Sequence, residues 1–154
     1  MAREIERKYL VKHELLPELS NGVKMVQCYL VRSEKFTLRL RLADQKAFLT
    51  IKGRSSGISR SEFEYEIPAL DALNMLKEFN PGNSVCKTRY CIDFAGHTWE
   101  VDVFEGSNSG LITAEIELNS EDEIFELPPW IAQDISEDPR YRNANLAAHP
   151  YQEW

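Results

Sequence analysis

What most constrains this chain is a period-two alternation that recurs in eight segments, near residues 2–11, 24–33, 36–44, 46–53, 58–67, 84–94, 97–105 and 111–119. Successive side chains of an extended strand point to opposite faces, so each segment reads as a strand with one apolar and one polar face. Turn chemistry separates them at Asn21-Gly22, Ser55-Ser56-Gly57, Asn80-Pro81-Gly82-Asn83 and Gly106-Ser107-Asn108-Ser109-Gly110. Many strands at this spacing predict a sandwich or a barrel. A helix is expected after Pro68, with Leu70, Leu73, Leu76 and Phe79 as its core stripe. A second is expected from Ser120, where Ser120 and Glu123 match a capping box, as far as Pro128-Pro129. A third, short one falls near residues 143–148.

The polar members of the alternation are nearly all charged, and in most segments they share a sign. The first segment sets Glu4, Glu6 and Lys8 against Ile5, Arg7, Tyr9 and Val11. Later ones give Arg39 and Arg41; Lys52; Arg60, Glu62 and Glu64; Lys87 and Arg89; Glu100 and Asp102; and Glu115 and Glu117. One strand of this kind is an ordinary solvated face. The whole set is not ordinary, because like charges at i, i+2 repel unless opposite charge lies on the neighbouring strand. The alternative is a barrel turned inside out, its charged faces lining a lumen and its apolar faces packed under helices. Eight strands enclose room for side chains or one small ligand. A transmembrane barrel has the same polarity but requires export.

Composition narrows the functional classes. The 154 residues fit one domain, residues 1–154, and 43% are hydrophobic. The net charge of -7 and pI near 5.0 argue against a nucleic-acid binder. There is no apolar run long enough to span a membrane and no signal-peptide pattern at Met1-Ala2-Arg3-Glu4. Cys28, Cys86 and Cys91 form no CxxC, and His13, His97 and His149 are isolated, so a zinc site is not expected. The thiols read as reduced, in a cytoplasmic protein. Nothing in the sequence defines an oligomeric state.

A lumen with acids beside acids and bases beside bases suits one ligand class. Carboxylate pairs are hard oxygen ligands for Mg²⁺ or Mn²⁺. Arg and Lys sets suit phosphate oxygens. A metal-chelated polyphosphate needs both.

Glu4-x-Glu6-x-Lys8 resembles the ExExK signature of the CYTH superfamily, the triphosphate tunnel metalloenzymes. The resemblance continues in order through Arg39-x-Arg41, Lys52, Glu62-x-Glu64, Lys87-x-Arg89, Asp102 and Glu115-x-Glu117, and so covers nearly the whole chain. The tail Glu137-Asp138-Pro139-Arg140-Tyr141-Arg142-Asn143 resembles the C-terminal stretch of small bacterial members. The resemblance implies a mainly β fold, an eight-stranded antiparallel tunnel with a charged lumen and a few packed helices. It implies that Glu4, Glu6, Asp102, Glu115 and Glu117 hold a divalent metal, and that Lys8, Arg39, Arg41, Lys52, Lys87 and Arg89 clamp the phosphates. Glu62 and Glu64 carry two readings each, orienting a metal-bound water or pairing with an Arg. Arg60 contacts phosphate or sits at the rim. The base is either metal-bound water near a carboxylate or Lys87 with a depressed pKa. Tyr29 tunes substrate choice or is a core aromatic. Trp99 is expected to pack outward under a helix and Trp130 to anchor a loop; Arg140 and Tyr141 are expected to close one tunnel mouth.

The implied activity is metal-dependent hydrolysis of the terminal phosphate of inorganic tripolyphosphate or a related small-molecule triphosphate. The alternatives are an adenylate cyclase of the same superfamily and a non-catalytic polyphosphate-binding module. The expected lumen holds eight acids and seven bases, leaving -6 of the net -7 to the rest of the chain. Acidity of the whole is therefore compatible with binding a polyanion.

Overall fold

Alternation of this kind needs a partner strand on both edges, and the chain supplies it by closing on itself. The computed structural model describes residues 2–79 and 81–154; Asn80, in one of the expected turns, lies outside them. The described elements are β1 (Arg3–Val11), β2 (Val23–Arg32), β3 (Phe36–Ala43), β4 (Lys46–Gly53), β5 (Ser59–Ile67), α1 (Ala69–Phe79), β6 (Val85–Phe94), β7 (His97–Phe104), β8 (Ile112–Glu117), β9 (Ile131–Asp134) and α2 (Asn143–Ala148). The strands run in the order β5-β4-β3-β2-β6-β7-β8-β1-β9, all antiparallel, and β1 also pairs with β5. That last pairing closes an eight-stranded barrel. The first half of β1 lies against β5 (Glu4 opposite Arg60), and its second half lies between β8 and β9. No described helix is long and apolar enough to cross a membrane.

The register answers part of the like-charge problem. Lys52 stands opposite Glu62, Lys8 opposite Glu115, and Arg89 opposite Asp102. Arg39 and Glu64 are both opposite Thr50, on either side of it. At these positions opposite signs meet across the ladder, whereas Glu6 stands opposite Glu117 and Glu100 opposite Glu115, which leaves acid beside acid on β1, β8 and β7.

The hydrophobic core forms three patches, two on the outer face of the barrel and one, with Val85 and Phe104 in phase with Lys87 and Asp102, on its inner face. Tyr9, Trp99, Val101, Ile116 and Trp130 form the first, between the outer face of β1, β7 and β8 and the segment that leads into β9. Val85, Phe104, Leu111, Tyr141 and Leu146 form the second, under the C-terminal segment. Cys28, Leu40, Ala47 and Ala72 form the third, under α1.

Three local expectations are corrected. The segment from Ser120 is a turn, not a helix. The Glu123 side chain accepts from the Asn119 backbone N–H at 2.7 Å and lies 2.6 Å from His97 Nε2, while the Ser120 hydroxyl donates to Asp122, so the capping groups are spent on a turn. Trp99 accordingly packs outward under a loop, edge-on to Phe125 and Trp130 at 5.9 Å each. In α1 the buried residue is Ala72, whose small side chain allows close approach to Ala47; Leu70, Leu73 and Phe79 are 67%, 54% and 57% exposed, and Met75 and Leu76 pack on the sheet.

Candidate active site in the barrel lumen

The barrel encloses a cavity of about 1560 Å³, larger than the usual 300–1,000 Å³ of a ligand pocket. It is lined by residues 33–35 before β3 and by residues 44–46 after it, so it runs the length of the strands as a tunnel. Every charged residue expected in the lumen lines it except Asp102, and Tyr29 lines it too. Asp102 is wholly buried beneath Lys87 and Arg89.

Alternation puts these side chains on the inner face; cross-strand pairing then sorts them into four ion clusters. In the first, Lys52 Nζ lies 3.0 Å from Glu4 and 3.2 Å from Glu62, with Arg60 3.8 Å from Glu4. In the second, Arg39 donates to Thr50 at 3.1 Å and to Glu64 at 3.3 Å, and the Thr50 hydroxyl donates to Glu64 at 2.9 Å. In the third, Lys8 lies 3.3 Å from Glu115 and donates to the Tyr141 carbonyl. The fourth is centred on Asp102. Arg89 donates to its two oxygens at 2.7 and 2.9 Å, and Lys87 donates to it at 2.7 Å and to the Asn143 amide oxygen at 3.1 Å. Arg89 also reaches Glu100 at 3.1 Å and Glu115 at 3.6 Å.

Three lumen groups have no ion partner among the described residues: Glu6, Arg41 and the more exposed Glu117. Burial, then the charges of Glu115 and Glu4, raise the Glu6 carboxyl well above the usual range. Burial, then Arg39 and Arg89, pull the Arg41 guanidinium down to about 10. Its Nε donates to Gln27 at 3.0 Å, and its terminal N–H groups have no described partner. Burial and the charges of Glu4 and Glu100 raise Glu117.

The remaining shifts follow the clusters. Burial pushes Glu62 up to about 7, helped by its hydrogen bond with Glu4 and opposed by Lys52. Burial works the same way on Glu4, but Lys52, its bonds with Glu62 and Glu6, and Arg60 hold its carboxyl well below the carboxylate range. Burial also opposes ionisation of Glu115, yet Lys8 and Arg89 keep it well below that range. Lys87 falls to about 7, through burial first and then Arg89 and Arg41, against the pull of Asp102.

Sequence reasoning missed Gln27, Thr50 and Asn143. Gln27 precedes Tyr29 by two and Thr50 precedes Lys52 by two, so both stand in phase with inward-facing residues; Asn143 had only the tail resemblance. Of the two tail residues expected at a tunnel mouth, Tyr141 lines the tunnel and Arg140 does not. Arg140 turns outward to Asp138 at 2.8 Å and lies 4.9 Å over the Trp154 ring.

The donor set fits a hard divalent cation. Glu4, Glu6 and Glu115 are like charges crowded together, and a 2+ ion would relieve that repulsion. Among the described residues no three acids are already turned to one point, because Glu4 and Glu115 face Lys and Arg instead.

A nine-stranded sheet closed through eight strands around a charge-lined cavity defines a tunnel fold. The chain belongs to the CYTH domain family, whose model matches residues 2–151. It is 43% identical over 151 residues to the inorganic triphosphatase of Acetivibrio thermocellus, covering 98% of this chain and 97% of that protein. It is 39% identical over 148 residues to the inorganic triphosphatase of Nitrosomonas europaea, covering 94% and 96%. A crystal structure of an inorganic triphosphatase superposes with a TM-score of 0.68 at 36% identity, over 96% of this chain and 95% of that one. A Pyrococcus furiosus protein shares the fold at 23% identity, with a TM-score of 0.58 over 77% and 80% of the two chains.

Proposed function

We propose that this chain hydrolyses inorganic tripolyphosphate, or a related small-molecule triphosphate, to release its terminal phosphate. The observation that carries the reading is a pair of unmatched groups of opposite sign in one tunnel. Among the described residues Arg41 has no ion pair and lies in the field of Arg39 and Arg89, and Glu6 has no ion pair and lies in the field of Glu4 and Glu115. A polyphosphate chelating Mg²⁺ or Mn²⁺ supplies both partners. The naming of the relatives as inorganic triphosphatases supports the same substrate class.

Glu4, Glu6, Glu115 and Glu117 front the tunnel and would hold the metal; it would supply charge neutralisation on the phosphates and acidify a bound water. Asp102, buried behind Lys87 and Arg89, would join that set only where both cations had turned from it to phosphate oxygens. Lys8, Arg39, Arg41, Lys52, Lys87 and Arg89 grip the chain, with Arg60 at its edge near Glu4. The bond from the terminal phosphorus to the bridging oxygen breaks, and these cations take up the charge that develops on the leaving pyrophosphate. Glu62, at about 7, is matched to accept the proton of the attacking water near neutral pH. Glu64 orients Arg39. Tyr29 offers its hydroxyl to the anion from the tunnel wall.

Phosphate release measured with tripolyphosphate, ATP and thiamine triphosphate, each with Mg²⁺ and with Mn²⁺, tests the reading. The expected result is the highest kcat/KM for tripolyphosphate. Cyclic AMP as the main product from ATP, or tight binding of tripolyphosphate with no turnover, would replace it with a cyclase or a binding module.

A further inference from the structure

Gln27 is wholly buried, yet its amide is shared between two residues that line a tunnel of charges. It stands opposite Arg41 on β3 and two residues before Tyr29 on the same face of β2. Its amide oxygen accepts from Arg41 Nε at 3.0 Å, and its amide nitrogen lies 3.0 Å from the Tyr29 hydroxyl. Arginine is donor-only, so the amide oxygen must face it and the NH₂ must face Tyr29. The Tyr29 oxygen therefore accepts from Gln27. Its own proton has no acceptor among the described residues and is left for whatever lies in the tunnel.

We propose that Gln27 is a positioning residue that sets the direction of the hydrogen bonds at this wall of the tunnel. It fixes Arg41 through Nε, so that the terminal N–H fork faces the lumen. It also makes Tyr29 a hydrogen-bond donor to the ligand. The Arg41 fork and the Tyr29 hydroxyl, with no acceptor among the described residues, are then both offered to an anion, an arrangement that selects phosphoryl oxygens and rejects a cation or a neutral donor at that spot. The inference rests on the triphosphate reading above for the identity of the anion.

The test is a double-mutant cycle read by calorimetric titration with inorganic tripolyphosphate in metal-free buffer. In the wild-type background, Tyr29→Phe is expected to weaken binding about three- to tenfold, the worth of one hydrogen bond. Gln27→Glu keeps the shape and still accepts from Arg41, but its carboxylate also takes the Tyr29 proton. In that background Tyr29→Phe is expected to change Kd less than twofold. Gln27→Met removes both bonds and offers Tyr29 no acceptor, so there Tyr29→Phe keeps its cost. This pattern, with melting temperatures held within a few degrees, is one that a structural role for Gln27 would not produce. An equal Tyr29→Phe loss in the wild-type and Gln27→Glu backgrounds overturns the proposal while leaving tripolyphosphate as the ligand. Should Gln27→Glu not fold, the Gln27→Met pair decides the polarity, since a vanished Tyr29→Phe effect there also overturns the proposal. Failure of the wild type to bind tripolyphosphate overturns the triphosphate reading and this inference together.

Discussion

Asp102→Asn is the most informative single substitution, because Asp102 is the buried anion on which two lumen cations depend. It is fully shielded from solvent, and Lys87 and Arg89 hold it through three bonds of 2.7 to 2.9 Å. Removing one partner of a buried pair costs about 3–5 kcal/mol, because the remaining charge is stranded. Arg89 retains Glu100 at 3.1 Å and Glu115 at 3.6 Å, which places the expected loss near the lower bound, about 3 kcal/mol. Out of a total stability of roughly 5–15 kcal/mol that is a large fraction, and it lowers Tm by about 6–12 °C for a chain of this size. Lys87 sits at about 7 already, so it can shed its proton when Asp102 is neutral. The loss should therefore be smaller at pH 8.5 than at pH 6. Urea unfolding at both pH values measures it. The variant should also bind metal-free tripolyphosphate at least as tightly as the wild type, since Lys87 and Arg89 no longer have to leave a carboxylate. A loss under about 1 kcal/mol at pH 6 would show that Asp102 does not anchor the two cations, and so would weaker binding of the anion.

Other substitutions separate the roles further. Arg39→Ala should weaken tripolyphosphate binding by tenfold or more, because Arg39 is buried and held by Thr50 and Glu64 toward the lumen; unchanged calorimetric Kd would remove it from the phosphate grip. Gly22→Ala should destabilise by about 1–3 kcal/mol, since a Cβ there would lie 2.5 Å from Thr88 and 2.6 Å from Tyr90; thermal unfolding unchanged from wild type would count against that packing. Ala95→Asn should stabilise by on the order of 1 kcal/mol, because Ala95 (φ 48°) and Gly96 (φ 82°) form a two-residue hairpin of the kind Asn-Gly favours; a lower Tm would contradict the turn geometry. The hydrogen bond from His97, with that from the Asn119 backbone, lowers the Glu123 carboxyl. A depressed carboxylate contributes stability above its unfolded pKa near 4.5 and loses it as pH falls through its folded value. The Tm gap between wild type and Glu123→Gln should therefore close below pH 4.5, and a gap that widens there would be wrong in sign.

Most of the barrel was legible because each charged residue of the alternation names its face. Glu4, Glu6 and Lys8 could point only one way if Ile5, Tyr9 and Val11 were to be buried. The four-residue β9 carries no such rhythm; it exists because β1 leaves β5 halfway along and exposes an edge that β9 covers. The helix after Pro68 was legible as a helix, but its leucines did not mark the buried side. Packing on a barrel wall favours the closest approach, and Ala72 against Ala47 provides it better than Leu70 or Leu73. The expected helix from Ser120 failed because its capping Glu123 found His97 across space, a contact no local pattern encodes. In the site, charge and phase located the charged residues that front the barrel lumen from a strand, except Arg32 and Lys46 at strand ends. They did not show that Asp102 lies behind its cations, nor that Gln27 and Thr50, neutral but in phase, orient Arg41 and Arg39.

If the tunnel works on a phosphate chain and a divalent cation together, the product balance of tripolyphosphate incubated with the protein must show it. The incubations use Mg²⁺, Mn²⁺ or excess EDTA, for the wild type and for Glu115→Ala. The predicted result is one phosphate and one pyrophosphate per tripolyphosphate, formed only when a divalent metal is present and lost in Glu115→Ala, with metal-free tripolyphosphate still bound by both proteins. Release that persists in EDTA, or no release with either metal, would contradict it.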